Sequence, residues 1–271
     1  MFTFNASLYL VTMSLLKFSK YEGTGNDFIM VDNRDQNMDY TNLDLVKRLC
    51  DRKFGIGSDG LILIENHDSY DFEMIFFNPD GSQSLCGNGS RCAVKFAHSL
   101  GIVAEETHFL TIEGPLYAFI QEDMVHLKMP DVNKVSSIDK DWFINTGSPH
   151  YVRLVSDVES VDVYNEGRDI RYHSNFSTGG TNVNFMQLLN PQHIYVRTYE
   201  RGVENETLSC GTGVTAAALA IGYRSGQNSP VKISTKGGEL SVDFKKQEPQ
   251  GFTDIYLIGP AELVYEGSIN I

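Results

Sequence analysis

A cysteine followed by Gly-x-Gly occurs twice in this chain, as Cys86-Gly87-Asn88-Gly89 and Cys210-Gly211-Thr212-Gly213. Each copy follows a strand-like run (Phe72–Phe77 and His193–Tyr199) and a polar turn. Each precedes a helix-like run, Ser90–Ala97 in one case and Val214–Ala220 in the other. A cysteine at a helix start meets unpaired backbone N–H groups and the positive end of the macrodipole, which favours a thiolate. Glycines beside it let a small anion approach the same N–H groups. Two such cysteines suggest one site used from two sides.

The surrounding motifs repeat in the same order. Thr24 and Thr146, Gly57 and Gly180, Asn78 and Glu200, and Cys86 and Cys210 lie 122, 123, 122 and 124 residues apart (146 − 24, 180 − 57, 200 − 78, 210 − 86). Four motifs in one order at nearly one offset imply two homologous halves. The expected domains are 14–130 and 131–261, with 130–141 as a polar linker. The last strand, 262–271, has no partner in the repeat and is expected to cross back to the first half. The fold class is α+β: two pseudo-symmetric domains, each a mixed, barrel-like sheet around a helix, with the active site in the cleft between them.

Local patterns fill in the halves. Residues 42–52 predict an amphipathic helix capped near Thr41, with Cys50 on its core face. Residues 156–172 read as helix, leading into the turn Thr178-Gly179-Gly180-Thr181-Asn182. Hairpins are expected over 108–129 and 231–258. The string Gly55-Ile56-Gly57-Ser58-Asp59-Gly60 matches the dinucleotide fingerprint in letters only. That fingerprint needs a strand before and a helix after, and here the order is reversed.

Charge and cysteine usage exclude several function classes. A formal net charge of −13 and a pI near 4.9 argue against nucleic acid or an anionic membrane as partner. Four cysteines in 271 residues do not make a disulfide scaffold. No CxxC or HExxH occurs, and Cys86-x5-Cys92 fits no common zinc module, so no metal or cofactor is expected. No apolar run is long enough to span a bilayer. Residues 1–13 lack the layout of a signal peptide and read as a non-structural extension, with Met13 as the expected start and the cytoplasm as the compartment.

Two thiols facing one carbon suit two-base chemistry. One thiolate removes a proton from one face while the other thiol delivers a proton to the opposite face, inverting the carbon. An amino acid α-proton is weakly acidic, and two helix N-termini aimed at the substrate carboxylate would stabilise the carbanion or enolate without a cofactor. The competing reading, two buried core cysteines, is disfavoured by the paired glycine context and retained for Cys92. The repeat also places His150 opposite Phe28 and Glu200 opposite Asn78, so both titratable groups belong to the second half. A His–Glu pair beside the thiols could set which one starts ionised.

Together these residues resemble one family. The motifs Gly-Thr-Gly-Asn-Asp-Phe (23–28), Gly-Ile-Gly-Ser-Asp-Gly (55–60), Asn-Pro-Asp-Gly-Ser (78–82), Cys-Gly-Asn-Gly-Ser-Arg-Cys (86–92), Glu-Arg-Gly (200–202) and Cys-Gly-Thr-Gly (210–213) closely resemble diaminopimelate epimerases. The resemblance runs from about Leu15 to the C-terminus. It implies cofactor-independent epimerisation of LL- to meso-diaminopimelate in lysine and peptidoglycan precursor synthesis. It further implies Cys86 and Cys210 as the acid/base pair, with His150 and Glu200 tuning them. Asn26, Asn78, Gly87, Asn88, Asn182, Glu200, Arg201, Gly211 and Thr212 match substrate contacts. Gly60 stands where a glutamine contact often occurs, and Ser148 replaces an asparagine. Both changes shorten a polar arm at the distal end of the substrate. The partner is therefore a small amino acid, and a homodimer stays open. Two rival readings are a proline racemase or hydroxyproline epimerase, whose cyclic substrate has no distal charge for Arg201, and a dithiol redox protein.

Overall fold

Two strand frames of matching register make up most of the chain. A computed structural model describes residues 14–176, 179–225, 229–247 and 249–271. The extension expected over 1–13, and Thr178 of the second glycine turn, lie outside the described residues.

In the first frame, strand Asn26–Asp32 runs parallel to Gly60–Glu65 with Phe28 opposite Gly60. Gly60–Glu65 then pairs antiparallel with Phe72–Phe77, Leu61 opposite Phe77. In the second, Pro149–Leu154 runs parallel to Asn182–Asn190 with His150 opposite Asn182. Asn182–Asn190 pairs antiparallel with His193–Glu200, Val183 opposite Tyr199. Each of these partners is displaced by 122 residues (150 − 28, 182 − 60, 183 − 61, 199 − 77). The duplication is thus present in the hydrogen-bond register as well as in the motifs.

The central strands of the first half hold continuous apolar runs, Phe28–Val31 and Leu61–Ile64, because both of their faces are covered. Ile29, Leu61 and Leu63 face a cluster under helix α1 (Leu43–Cys50), while Phe28, Met30, Ile62 and Ile64 join the main core with helix α2 (Gly87–Ser99). Helix α3 (Val163–Arg171) covers the corresponding outer face of the second half, and helix α4 (Gly211–Ser225) fills its interior. Ala216, Ala217, Ala218 and Ala220 are all buried, and such small side chains let α4 lie enclosed by strands.

The halves are joined through the sheet. Met124–Lys128 of the first half pairs antiparallel with Gly251–Gly259 of the second, and Glu262–Asn270 pairs antiparallel with Leu15–Gly23. All seventeen strands of the described residues belong to one sheet.

Three boundaries differ from the sequence reading. Helix α1 is capped by Asn42, whose side chain accepts from the Leu45 N–H, while Thr41 bonds Asp39 instead. The helix expected over 156–172 is confined to Val163–Arg171, because Asp162 caps it and the preceding stretch is turns. The linker holds a strand, Ser136–Ile138, paired with Asp141–Asn145.

Candidate active site

The N-termini of α2 and α4 meet beneath Leu257. A Cβ added to Gly211 would lie 2.9 Å from Leu257 Cδ2 and 3.9 Å from the Gly87 Cα, so the two helix starts nearly touch. Cys86 is the N-cap of α2, and its carbonyl accepts the Ser90 N–H at 2.8 Å. Cys210 stands in the same relation to α4, with Val214 N–H donating to its carbonyl at 2.9 Å. Cys86 is half-buried, Cys210 is buried, and both are free thiols.

The expectation that a helix start makes each cysteine acidic meets an opposing effect. Burial pushes the Cys86 thiol up, and Glu200 adds to this, against the Gly89 and Asn88 N–H groups that pull it down. Burial pushes Cys210 up as well, again with Glu200, against the Thr212 hydroxyl and the Gly213 N–H. The donors are where the motif put them. Loss of water outweighs them in this closed arrangement.

His150 and Glu200 do not pair with each other. His150 is fully buried, and its Nε2 lies 2.8 Å from Thr212 Oγ1 and 2.9 Å from Ser148 Oγ. Thr212 Oγ1 in turn lies 3.5 Å from Cys210 Sγ. Glu200 accepts the Thr207 hydroxyl at 2.9 Å, and burial pushes its carboxyl up. It acts on both thiols through its field.

Burial, reinforced by Arg201, pushes the His150 imidazole down to about 3. Between about pH 6.5 and that value the unfolded chain binds a proton at this position that the folded chain does not. Stability should therefore fall as the pH drops through this window, by up to roughly 1.4 kcal/mol per pH unit. Urea unfolding at pH 7, 6 and 5 checks it: His150→Gln should show a shallower acid slope than the parent, and equal slopes would refute the assignment.

The other residues divide into three groups. Asn88 Nδ2 donates to Asn26 Oδ1 at 2.8 Å and reaches the Ser209 carbonyl at 3.5 Å, bridging the two halves. Asn182 donates to Ser148 Oγ at 3.3 Å and accepts the Arg201 backbone N–H at 2.9 Å. The Asn88 contacts tie the two helix starts together, whereas the Asn182 set reaches only the start of α4, through Ser148 and Thr212. Asn78 spends its amide on its own turn, donating to Ser82 and Ser84. Gly60 is buried, its carbonyl accepts the Ser58 hydroxyl at 2.9 Å, and a Cβ there would overlap the Phe76 ring. A larger side chain is excluded from that position by Phe76.

Comparison with known proteins follows this geometry. The sequence profile of the family described as diaminopimelate epimerase matches residues 18–135 and 142–264. The chain belongs to the diaminopimelate epimerase family. It is 49% identical to a diaminopimelate epimerase from Flavobacterium psychrophilum, over 94% of this chain and 100% of that one. It is 42% identical to a diaminopimelate epimerase from Aquifex aeolicus, over 94% of this chain and 98% of that one. Among solved structures, a phenazine biosynthesis protein from Bacillus anthracis superposes with a TM-score of 0.76 at 12% identity, covering 96% of this chain and 100% of that one. A hydroxyproline epimerase from Agrobacterium vitis gives 0.65 at 14% identity, covering 95% and 93%. At such identities the superpositions show a shared two-domain fold alone.

Several residues of this diaminopimelate epimerase family member escape a motif reading. Asp59 accepts from Asn26 Nδ2 at 2.9 Å and from Arg52 at 2.7 Å, and so holds Asn26 toward Asn88. Thr146 donates to the Thr212 carbonyl at 2.8 Å. Asn184, fully buried, donates to His150 Nδ1 at 3.1 Å. One signal for Asn184 was present: an amide between Val183 and Phe185, at the place where the first half has Ile62 (184 − 62 is again 122). Among the described residues no group of His, Cys, Asp or Glu is placed to hold a metal, and no helix is long and apolar enough to cross a membrane.

Proposed function

We propose that this chain epimerises LL-2,6-diaminopimelate to the meso isomer, in lysine and peptidoglycan precursor synthesis, by two-base chemistry at Cys86 and Cys210. The observation that carries the reading is the close approach of two cysteine-bearing helix starts. In the productive state one cysteine is a thiolate and the other a thiol. The thiolate takes the α-proton while the thiol gives its proton to the opposite face, so the pair ends with its protonation exchanged and the proton count unchanged. Backbone N–H groups at Gly87, Asn88, Gly211 and Thr212 receive the α-carboxylate and the charge that builds on it. Burial makes the thiolate scarcer and also a stronger base, which suits a weakly acidic carbon. His150 acts on Cys210 through Thr212, and Glu200 acts on both thiols. Asn26, Asn78, Ser148, Asn182 and Arg201 serve the amino and distal groups.

In this reading residues 14–130 with the last strand form one domain and 131–261 the other. The free cysteines fit the reducing cytoplasm. The exposed Leu263, Val264 and Tyr265 on the last strand support a homodimer.

Incubation with LL-diaminopimelate in D2O, followed by NMR, tests the reading. Deuterium should enter the α-position as the meso isomer forms. Exchange with proline and none with diaminopimelate would favour the cyclic-substrate alternative. Exchange with no amino acid would favour the dithiol redox one.

A further inference from the structure

The two helix starts rest on floors of opposite chemistry. Under α2, a Cβ on Gly89 would meet Ile62 Cδ1 at 3.1 Å and the Phe28 ring at 3.4 Å, and Phe28 packs edge-on against Phe76. Under α4, the matching positions are Asn184, His150 and Thr198 (184 − 62, 150 − 28 and 198 − 76 all equal 122). A Cβ on Gly213 would overlap Asn184 Oδ1, so the helix start lies directly on that amide. The floor of Cys86 is apolar. That of Cys210 is a connected set of polar groups, all buried.

The connections have a direction. The Thr198 hydroxyl donates to Asn184 Oδ1 at 2.9 Å. Asn184 Nδ2 faces both the Tyr151 carbonyl at 3.1 Å and His150 Nδ1 at 3.1 Å. A carbonyl can only accept, so the amide nitrogen must lie on that side, and His150 Nδ1 meets a donor. A neutral imidazole whose Nδ1 accepts carries its proton on Nε2. That nitrogen faces the Thr212 and Ser148 hydroxyls. Thr212 Oγ1, the nearer hydroxyl, can then accept from the ring, which leaves its own proton free to turn to Ser148 Oγ at 3.2 Å or to Cys210 Sγ at 3.5 Å. In the other tautomer Nε2 would be a bare acceptor. The Thr212 proton would turn to it, and Cys210 would face a lone pair.

We propose that Asn184 is a positioning residue that fixes His150 in its Nε2–H tautomer, so that the Thr212 hydroxyl is presented to Cys210 as a proton donor. The proposal rests on the reading of Cys210 as one of the two acid/base groups, and it adds what orients that group. A donor aimed at sulfur stabilises the thiolate form, so the polar floor helps Cys210 hold its negative charge in the half of the cycle when it has given up its proton. Cys86 has no counterpart, since its cap makes no side-chain hydrogen bond and Ile62 replaces the amide. The charged groups that act on this cluster are Glu200, on Cys210, and Arg201, on His150.

The test separates orientation from turnover. Histidine-labelled protein should show His150 as the Nε2–H tautomer by nitrogen NMR at pH 7.5 in the parent chain. Finding the Nδ1–H tautomer there overturns the proposal without any variant. Asn184→Leu, which keeps the volume and removes the donor, should give a mixture of tautomers. Peptide-resolved alkylation should then slow at Cys210 by at least about threefold, with Cys86 unchanged, and kcat should fall about tenfold with little change in KM. Thr212→Ser should keep the Cys210 rate, because it retains the hydroxyl. An Asn184→Leu protein that keeps the Nε2–H tautomer and the parental Cys210 rate overturns the proposal, and so does equal slowing at both thiols. If that variant does not fold, Thr212→Val decides in its place: alkylation slowed at Cys210 alone supports the proposal, and a parental Cys210 rate overturns it. The NMR readout involves no substrate, whereas the two-base reading stands or falls on deuterium exchange, so the two failures are distinguishable.

Discussion

Cys86→Ala and Cys210→Ala are each expected to lower epimerisation by at least about a thousandfold, within the range by which a positioned proton carrier accelerates a reaction. Each substitution removes the only thiol that the geometry offers to one face of the α-carbon. Neither should unfold the chain. Cys86 caps α2 without a side-chain hydrogen bond, so alanine removes no capping partner there. Cys210 is buried, and alanine leaves a gap of a single sulfur atom beside Thr212. Serine fills the volume and should still be severe, because a hydroxyl is a far weaker acid than a thiol and its conjugate base is scarcely present near neutral pH. Circular dichroism and thermal melting confirm the fold, and turnover from LL-diaminopimelate measures the loss. Parental turnover in either alanine variant would rule out the two-base assignment.

The pair was legible in the sequence because close approach of two helix starts leaves a mark that chain chemistry cannot hide. A Cβ on Gly211 would crowd the end of Leu257, and one on Gly213 would overlap Asn184 Oδ1. The repeat offset was legible for a similar reason: strands of matching register need matching spacing, and Phe28–Gly60 and His150–Asn182 show it. What stayed hidden depends on contacts distant in sequence. The limits of α3 were missed because 156–162 is polar enough for a helix surface, and only the Asp162 cap decides where the helix starts. Why a glycine stands at position 60 stayed hidden, because the Phe76 ring that a Cβ would overlap belongs to another strand. The acidity of the cysteines followed the local helix start, whereas burial by the whole closed fold sets it. Asn184 is the sharpest case. An asparagine where the other half has Ile62 signals a buried polar partner, and the sequence does not say that the partner is His150.

Arg201→Met is expected to weaken use of diaminopimelate by at least about a hundredfold in kcat/KM, roughly 2.7 kcal/mol. Helix N-termini recognise any α-carboxylate, so discrimination for a long substrate must come from the far end. In the proposed function Arg201 supplies it. Its backbone N–H is fixed by Asn182 at 2.9 Å, while its guanidinium makes one long contact, to the Gly179 carbonyl at 3.4 Å. Among the described residues no carboxylate lies within ion-pair distance of it, unlike Arg52, Arg171 and Arg197, which are each committed to an acidic partner. A guanidinium left without a carboxylate suits a second carboxylate on the substrate, which it can grip with two parallel donors. Removing one partner of such a desolvated pair typically costs about 2–5 kcal/mol, much of it from the charge left unpaired. Methionine keeps the length and removes the donors. Because Arg201 also acts on His150 and adjoins Glu200, its loss could reach the thiols, and alkylation rates at Cys86 and Cys210 measure that separately. The expected result is a large fall in kcat/KM with both thiol rates unchanged. Full activity in Arg201→Met would mean that the distal carboxylate is held elsewhere, and the choice of diaminopimelate over a shorter amino acid would lose its physical basis in this site.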